Sequence, residues 1–514
     1  MKKFCLIMSA ATVLMASSCS DNFFDINSNP NKPTEEAITP DFLMTGVVAN
    51  IVRRETSTFD FLGHWMGYYA RGSNYGPSLP LENYNITSTY QTAQWSGGNL
   101  PNFGWFDIMS DNAEMERKAK ETGEQFYVGA AKVLKSIGFM RLVDMYNNVP
   151  YTEAFSLVSG GIATPKYDKG EDIYADLIKQ LDTARTIFAD PNLVVPQTAA
   201  TSDLVFGGDV ELWRKLVNTQ ALRLLIHQSE KVGNPSDELA KINADDAGFL
   251  GAGETAWVNP GYSSDQYKVN PMYLTYVADN NGILMDGFNR ANRFLLDKYM
   301  DNDDLRYQYV FLKAQAPRLD DNGEPILWNG DYVGREPDPS TLKSSGQSII
   351  MGTGLVPSAD ADAWLFTSVE SMFLQAEAAE RGWISGDAQG LYENAVKESF
   401  NFLMRDADLD ADAEATTYLE KDIASWAKAT NKRELIINQK YLALPGIDNF
   451  EAWVDYRRLG YPTDVPLTLS TGRGGRKIPL RLSYPVNEYS YNATNVEAEG
   501  DIDPQTDAIW WDVN

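Results

Sequence analysis

The chain has 514 residues, of which 43% are hydrophobic and 22% charged, the proportions of a globular protein long enough to bury a large core. Its 71 acidic residues outnumber 44 basic ones, leaving a formal net charge of −27. That balance lacks the basic footprint that displaces counterions from nucleic acid, and it opposes adsorption to anionic lipid.

The first segment in chain order is a targeting signal rather than a structural element. Lys2 and Lys3 precede the apolar run "FCLIMSAATVLMA", and the small residues Ser17 and Ser18 stand directly before Cys19. The run is shorter than the ~20 residues of a spanning helix. "SSC" resembles the lipobox of bacterial lipoproteins, with Ala16 where Leu or Val is usual. This predicts residues 1–18 as a signal peptide and Cys19 as an acylated N-terminus that tethers the chain to a membrane. The alternative is a secreted protein in which Cys19 is an incidental, exposed thiol, since Cys5 departs with the signal. Residues 19–38 are polar and rich in Asn, Asp and Pro, and read as a spacer. Their polar start resembles the surface-export signals of Bacteroidetes lipoproteins.

From residue 39 onward helical periodicity dominates. Phe126, Ala130, Val133, Ile137 and Met140 fall on one helical stripe, and "NNVP" ends that helix before Pro150. Ile173, Leu177, Leu181 and Ala184 mark a second helix; Leu212, Leu216, Ala221 and Leu224 mark a third. Val369, Met372, Ala376, Ala379 and Trp383 mark a fourth, joined by the short "ISGD" turn to a partner in "DAQGLYENAVKESFNFLM". The short turn predicts an antiparallel hairpin, with Ala376, Ala378 and Ala379 allowing close helix approach. In "FEAWVDYRRLGYP", Phe450, Trp453 and Val454 share a face, and Arg457 and Arg458 occupy the last turn, where cations suit the helix dipole. Two long stretches, 63–103 and 251–354, lack periodicity but are rich in Gly, Pro, Asn, Tyr and Trp. They read as ordered loops that present a surface on a helical scaffold.

The early loop carries chemistry suited to sugars. A sugar ring has apolar C–H faces and a belt of hydroxyls, so binding it needs flat aromatics and planar polar groups. Trp65, Tyr68, Tyr69, Tyr75 and Trp95 supply ring faces; Arg71, Asn74, Gln94 and Asn99 supply donors and acceptors. The competing expectation is that at least half of these aromatics anchor the loop to the helices.

The order of motifs carries a family resemblance. "WFDIMSDNAEM", "NNVPYTEAF", "TPKYDKGEDIYADLIKQLDTA", "WRKLVNTQALRLLIH", "DNDDLR", "ESMFLQAEAAERGW", "FEAWVDYRRLGYP" and "RLSYPVNEYSYNATNV" occur in the order found in the SusD/RagB family of Bacteroidetes outer-membrane lipoproteins. In "DNDDLR", Asp304 replaces the proline of the usual Asp-Pro-Arg-Leu. The resemblance implies a mostly α fold of tetratricopeptide-like helical hairpins with few short strands, spanning 39–514 as a single domain. It further implies a protein on the outer face of the outer membrane that is not an enzyme and has no cofactor. Such a protein forms a lid over a SusC-like TonB-dependent transporter and delivers an oligosaccharide to it, or a peptide in the RagB branch. By the same resemblance, the ligand surface combines the early loop with a second region containing Tyr273, Tyr276, Asn281, Arg290, Trp328 and Tyr332.

Other chemistries find little support. His64 and His227 are the two histidines, and neither stands in a zinc-binding spacing or beside a Gly-x-Ser-x-Gly elbow. A glycoside hydrolase would need two facing carboxylates about 5–10 Å apart beside the aromatic loop, which spacing cannot reveal. "DADLDADAE" has alternating acids without the glycine and final Glu of an EF-hand, so a solvated face or helix start is expected and no metal site is assigned.

Overall fold

The computed structural model describes residues 37–72, 78–97, 103–314, 331–337 and 347–514. The predicted signal peptide, Cys19 and most of the predicted spacer lie outside them. Helices form most of the described secondary structure. The principal ones are α1 (Pro40–Ser57), α2 (Trp105–Thr122), α3 (Gln125–Tyr146), α4 (Gly170–Phe188), α5 (Val210–His227), α6 (Ser368–Glu380), α7 (Ala388–Leu403), α8 (Lys432–Ala443) and α9 (Asn449–Leu459). No described helix is long and apolar enough to cross a membrane.

Local chemistry sets the helix ends. Asp209 accepts from the amides of Glu211 and Leu212 at the start of α5, and Asp387 caps α7 in the same way. Gly123 and Gly460 close α2 and α9 in the left-handed conformation that suits glycine. Asp410 of the acid-rich "DADLDADAE" likewise caps a helix, accepting from Ala413 N at 3.1 Å. The pairs α2/α3 and α6/α7 are hairpins joined by short turns, and α3, α4 and α5 pack in succession.

The predicted stripe on α3 is too narrow. Nearly all of its side chains are buried, because α2, α4, α5 and α1 cover it on every side. Its glycines allow this: a Cβ on Gly138 would lie 2.5 Å from Met109 Sδ, and one on Gly129 would lie 2.8 Å from the Phe188 ring. The stripe on α4 is as expected, with Ile173, Leu177, Leu181 and Ala184 all buried.

The helices also share a buried network of charges. Arg141 on α3 donates to Glu55 of α1 at 3.0 Å, to Asp448 at 2.8 Å and to Glu451 of α9 at 2.9 Å. His227 on α5 lies between Asp144 (3.0 Å) and Glu451 (3.1 Å), so it is packed in the core and linked to acids. Arg223 pairs with Glu370 of α6, and Arg458 of α9 pairs with Glu377 of α6 at 2.6 Å and with Asp455. Arg457 stacks on Trp453 at 3.4 Å and donates to the Asp144 and Leu480 carbonyls. The two arginines predicted to serve a helix dipole are therefore core cross-links. Glu488 accepts from the Tyr167 hydroxyl at 2.6 Å.

The two aromatic-rich stretches are more regular than expected, and they meet. Strands β1 (Tyr69–Arg71), β3 (Asn289–Ala291), β4 (Phe311–Leu312) and β5 (Ile349–Ile350) form a sheet in the order β1-β3-β5-β4. The antiparallel β1/β3 pairing sets Arg71 opposite Asn289 and Ala70 opposite Arg290. A separate pair joins β2 (Ala256–Val258) to β6 (Ala363–Phe366), with a register shift at Ala256/Trp257. This β2/β6 pair rests on α1.

Candidate functional site

Most of the early-loop aromatics expected to face a ligand are core residues. Trp65 and Tyr68 have no exposed surface, Tyr69 keeps 1% and Trp95 keeps 6%. The reason lies in their neighbours. Trp65 packs edge-on against Phe61 and Trp453, and the Tyr68 hydroxyl donates to the Tyr441 carbonyl at 2.7 Å. Trp95 meets Phe106, Tyr146, Tyr167 and Tyr484. Rings so enclosed offer no stacking face, which corrects the assignment of these four as ligand contacts. Gln94 is equally buried, donating to the Thr58 carbonyl and accepting from Arg54. Asn74, Tyr75, Asn99 and Trp328 lie outside the described residues.

The remaining candidates divide. Arg71 is ion-paired to Glu82 at 2.9 Å and lies over the Phe288 ring, on the floor between the two loops. Arg335 donates to the Arg71 carbonyl, fixing this floor. Nearby, burial depresses the His64 pKa to about 4, which leaves its ring neutral against Asn289. Arg290 turns onto the carbonyls of Asn289 and Asp286. Tyr276 is buried with its hydroxyl on the Ser57 carbonyl, and Tyr273 is half-buried against the core. Tyr332 is half-buried edge-on to Tyr307. Asn281 is exposed at the tip of a turn held by Asp279.

An open aromatic surface lies in the second loop, at residues the sequence reading passed over. A cleft of ≈ 420 Å³ is lined by Asn50 and Arg53 of α1 and by Tyr262, Tyr267 and Lys268, with the Pro260–Gly261 turn at its edge. Tyr267 is 90% exposed. It occupies a left-handed position (φ 70°) in a turn closed by a bond from Ser263 N to the Lys268 carbonyl at 2.9 Å. That conformation costs a non-glycine residue about 1–2 kcal/mol, and it holds the ring out in solvent. Asn50 and Arg53 are one helical turn apart and half-buried, and their side chains have no hydrogen-bond or ion-pair partner among the described residues. Burial lowers the Arg53 pKa, an effect opposed by Tyr262. The cleft thus combines two phenol rings with an amide and a guanidinium whose hydrogen-bonding capacity is unused.

A sequence signal for this cleft exists. Tyr267 sits in "SSDQYKV", where no flanking run of large apolar residues could draw it inward, whereas Trp65 sits in "FDFLGHWMGYYA". Hydrophobic neighbours bury an aromatic; polar ones leave it exposed.

Elsewhere, Glu370, Asp448 and Glu451 bring carboxylate oxygens within 4.8 Å of one another. The guanidinium groups of Arg141 and Arg223 already neutralise them, so this cluster belongs to the core network.

The comparisons agree with this architecture. Residues 30–485 match the model of a SusD-like family described as starch-binding and associating with the outer membrane. A SusD homologue from Bacteroides fragilis superposes with a TM-score of 0.72 at 25% identity, covering 92% of this chain and 99% of that one. A chitin-binding protein gives 0.73 at 24% identity over 93% and 100%. A SusD/RagB family protein from Bacteroides thetaiotaomicron gives 0.71 at 20% identity over 92% and 99%. No curated protein matches the chain. With most of its length matched by the family model and its helical scaffold shared with these structures, the chain belongs to the SusD/RagB family.

Proposed function

We propose that this protein is a surface lipoprotein, anchored through Cys19, that captures an oligosaccharide and passes it to a SusC-like TonB-dependent transporter without making or breaking a bond. The observation that supports this reading is the Tyr262/Tyr267 cleft. Its exposed ring can cover a sugar face while the unpartnered Asn50 and Arg53 side chains meet hydroxyl groups. Stacking and a few hydrated hydrogen bonds, set against the cost of immobilising a flexible sugar, give dissociation constants of roughly micromolar to millimolar. Weak binding suits a protein that must release its cargo.

The test is affinity electrophoresis of the purified protein in gels containing starch, glycol chitin, xylan, mannan or pectin. Chitin is included because a protein of this fold binds it. Retardation by at least one glycan, lost in Tyr267→Ala, is expected. No retardation by any of them, together with binding of peptides from a casein digest, would replace the glycan reading with peptide capture. The anchor is tested separately: Cys19→Ala should move the protein from the membrane fraction to the soluble one.

A further inference from the structure

On the other side of the 259–262 turn lies a second cleft, of ≈ 410 Å³, lined by Trp257, Pro357, Ser358, Asp360, Asp362 and Arg405 together with Ala361. We infer that this cleft is a second saccharide subsite, with Trp257 as its stacking platform, and that one oligosaccharide spans it and the tyrosine cleft. The inference rests on the glycan-capture reading above and adds to it where the chain continues.

The Trp257 ring is built into place. It stacks on Phe402 at 5.3 Å and 6° and meets Trp364 edge-on at 6.0 Å and 83°. The irregularity between β2 and β6 falls at Ala256/Trp257, the kind of bulge that re-aims a side chain. Phe402 covers one ring face, and the half-buried indole lines the cleft with the surface that remains. Around it stand planar polar groups suited to vicinal hydroxyls. Arg405 lies 5.3 Å from the Trp257 centroid and is held by the Gly354 and Phe402 carbonyls at 2.5 and 2.7 Å. Ser358 donates to Asp360 at 2.6 Å, and Asn259 donates to Asp362 at 2.8 Å and to the Asp360 carbonyl at 3.1 Å.

Asn259 couples the two clefts. Its amide nitrogen braces the acidic wall of the tryptophan cleft, while its oxygen accepts from Gly261 N (2.9 Å) and Tyr262 N (2.7 Å) at the edge of the tyrosine cleft. Tyr262 lies five positions along the chain from Trp257, so their Cα atoms lie within about 18 Å even if the chain is fully extended. A short oligosaccharide covers that span. Once one end is bound, the other binds as an intramolecular event and avidity rises without a stronger single site.

Asp360 is not suited to serve as a glycosidase acid. A glycosidase acid must hold its proton near neutral pH, which requires a raised pKa. Asp360 is fully exposed, and its bond from Ser358 holds it below the usual carboxylate range.

The experiment is isothermal titration with maltoheptaose, chitohexaose, xylohexaose and mannohexaose and with the disaccharide of each, on wild type, Trp257→Ala, Asp360→Asn and Tyr267→Ala. For a hexa- or heptasaccharide that binds, Trp257→Ala should weaken binding about tenfold or more and Asp360→Asn about threefold to fivefold. Neither should alter binding of the matching disaccharide, whereas Tyr267→Ala weakens both. The Asp360 change is exposed and reports on the cleft even if Trp257→Ala misfolds. Long-chain affinities within twofold of wild type for both cleft variants, with Tyr267→Ala still defective, would overturn the second subsite and leave the capture reading standing. Absence of binding to every saccharide would overturn both.

Discussion

The buried centre of the helical scaffold and the surface around residues 257–268 use the same residue types for opposite ends. In the centre, arginines are tied to carboxylates: Arg141 has three acidic partners, and Arg458 has two. At the surface, Arg53 has no ion-pair partner among the described residues, and Tyr267 stands 90% exposed. Saturated groups hold helices together and have nothing left to offer a ligand. Unsaturated groups at a rim contribute little to the fold and are free to bind. The contrast separates residues whose loss should unfold the protein from residues whose loss should silence it.

The largest effect expected belongs to the centre. Arg141→Met leaves Glu55, Asp448 and Glu451 without their shared cation, and breaking a buried pair in this way costs about 3–5 kcal/mol. Urea denaturation should show that loss, or no folded protein. Close behind, Trp95→Ala removes a ring packed against four others and should cost about 3–5 kcal/mol, while glycan affinity per folded molecule stays at the wild-type level. Loss of affinity without loss of stability would return Trp95 to the site.

Acid should act on the same network. Burial opposes the Glu377 charge, but Arg458 and Arg381 outweigh it and hold its pKa at about 2, below the ordinary 4.5. Its contribution is therefore complete above about pH 4.5 and is lost as pH falls towards 2. Burial of Glu370, only partly offset by Arg223, raises its pKa to about 7, so its ionisation costs stability as pH rises from 4.5 to 7. His227 also has a raised pKa, because Glu451 and Asp144 outweigh its burial. Its contribution is full below about pH 6.5 and declines as pH rises through the raised value. The stability gap between wild type and Glu377→Gln should thus shrink by about 3 kcal/mol between pH 4.5 and 2. A gap that is constant with pH would mean that Glu377 is not held ionised.

How far the sequence reveals this division depends on the residue. Helices with repeating apolar positions, such as α4, were visible because burial on one face imposes a period. The all-round burial of α3 was not, because its covering helices come from distant parts of the chain. Arg457 and Arg458 looked like end-of-helix cations, since nothing near them in sequence announces Asp144, Leu480 or Glu377. That the second loop is ordered and presents a surface on the scaffold is legible from its Gly-, Asn-, Tyr- and Trp-rich composition. Ring chemistry alone does not place a residue at a surface: Trp65 and Tyr68 have the right rings, but their apolar neighbours in "FLGHWMGYYA" draw them inward. Asn50 and Arg53 were hidden because they sit on α1, some 200 residues from the loop they join.

Smaller effects belong to the rim. Tyr267→Gly removes a ring held at φ 70°, where glycine is at ease. Thermal stability should stay within about 1 kcal/mol of wild type or rise, while glycan affinity falls about tenfold or more. Arg53→Gln should weaken binding less, about threefold to tenfold, with an unchanged melting temperature, since removing an unpaired, half-buried charge relieves desolvation.

The most direct test combines the last two changes. Affinity electrophoresis of Arg53→Gln/Tyr267→Gly, in whichever glycan retards the wild type, should show unretarded migration by a protein with the wild-type melting temperature. Full retardation of that double variant would contradict the claim that cargo is gripped by unpaired groups at the rim of the tyrosine cleft.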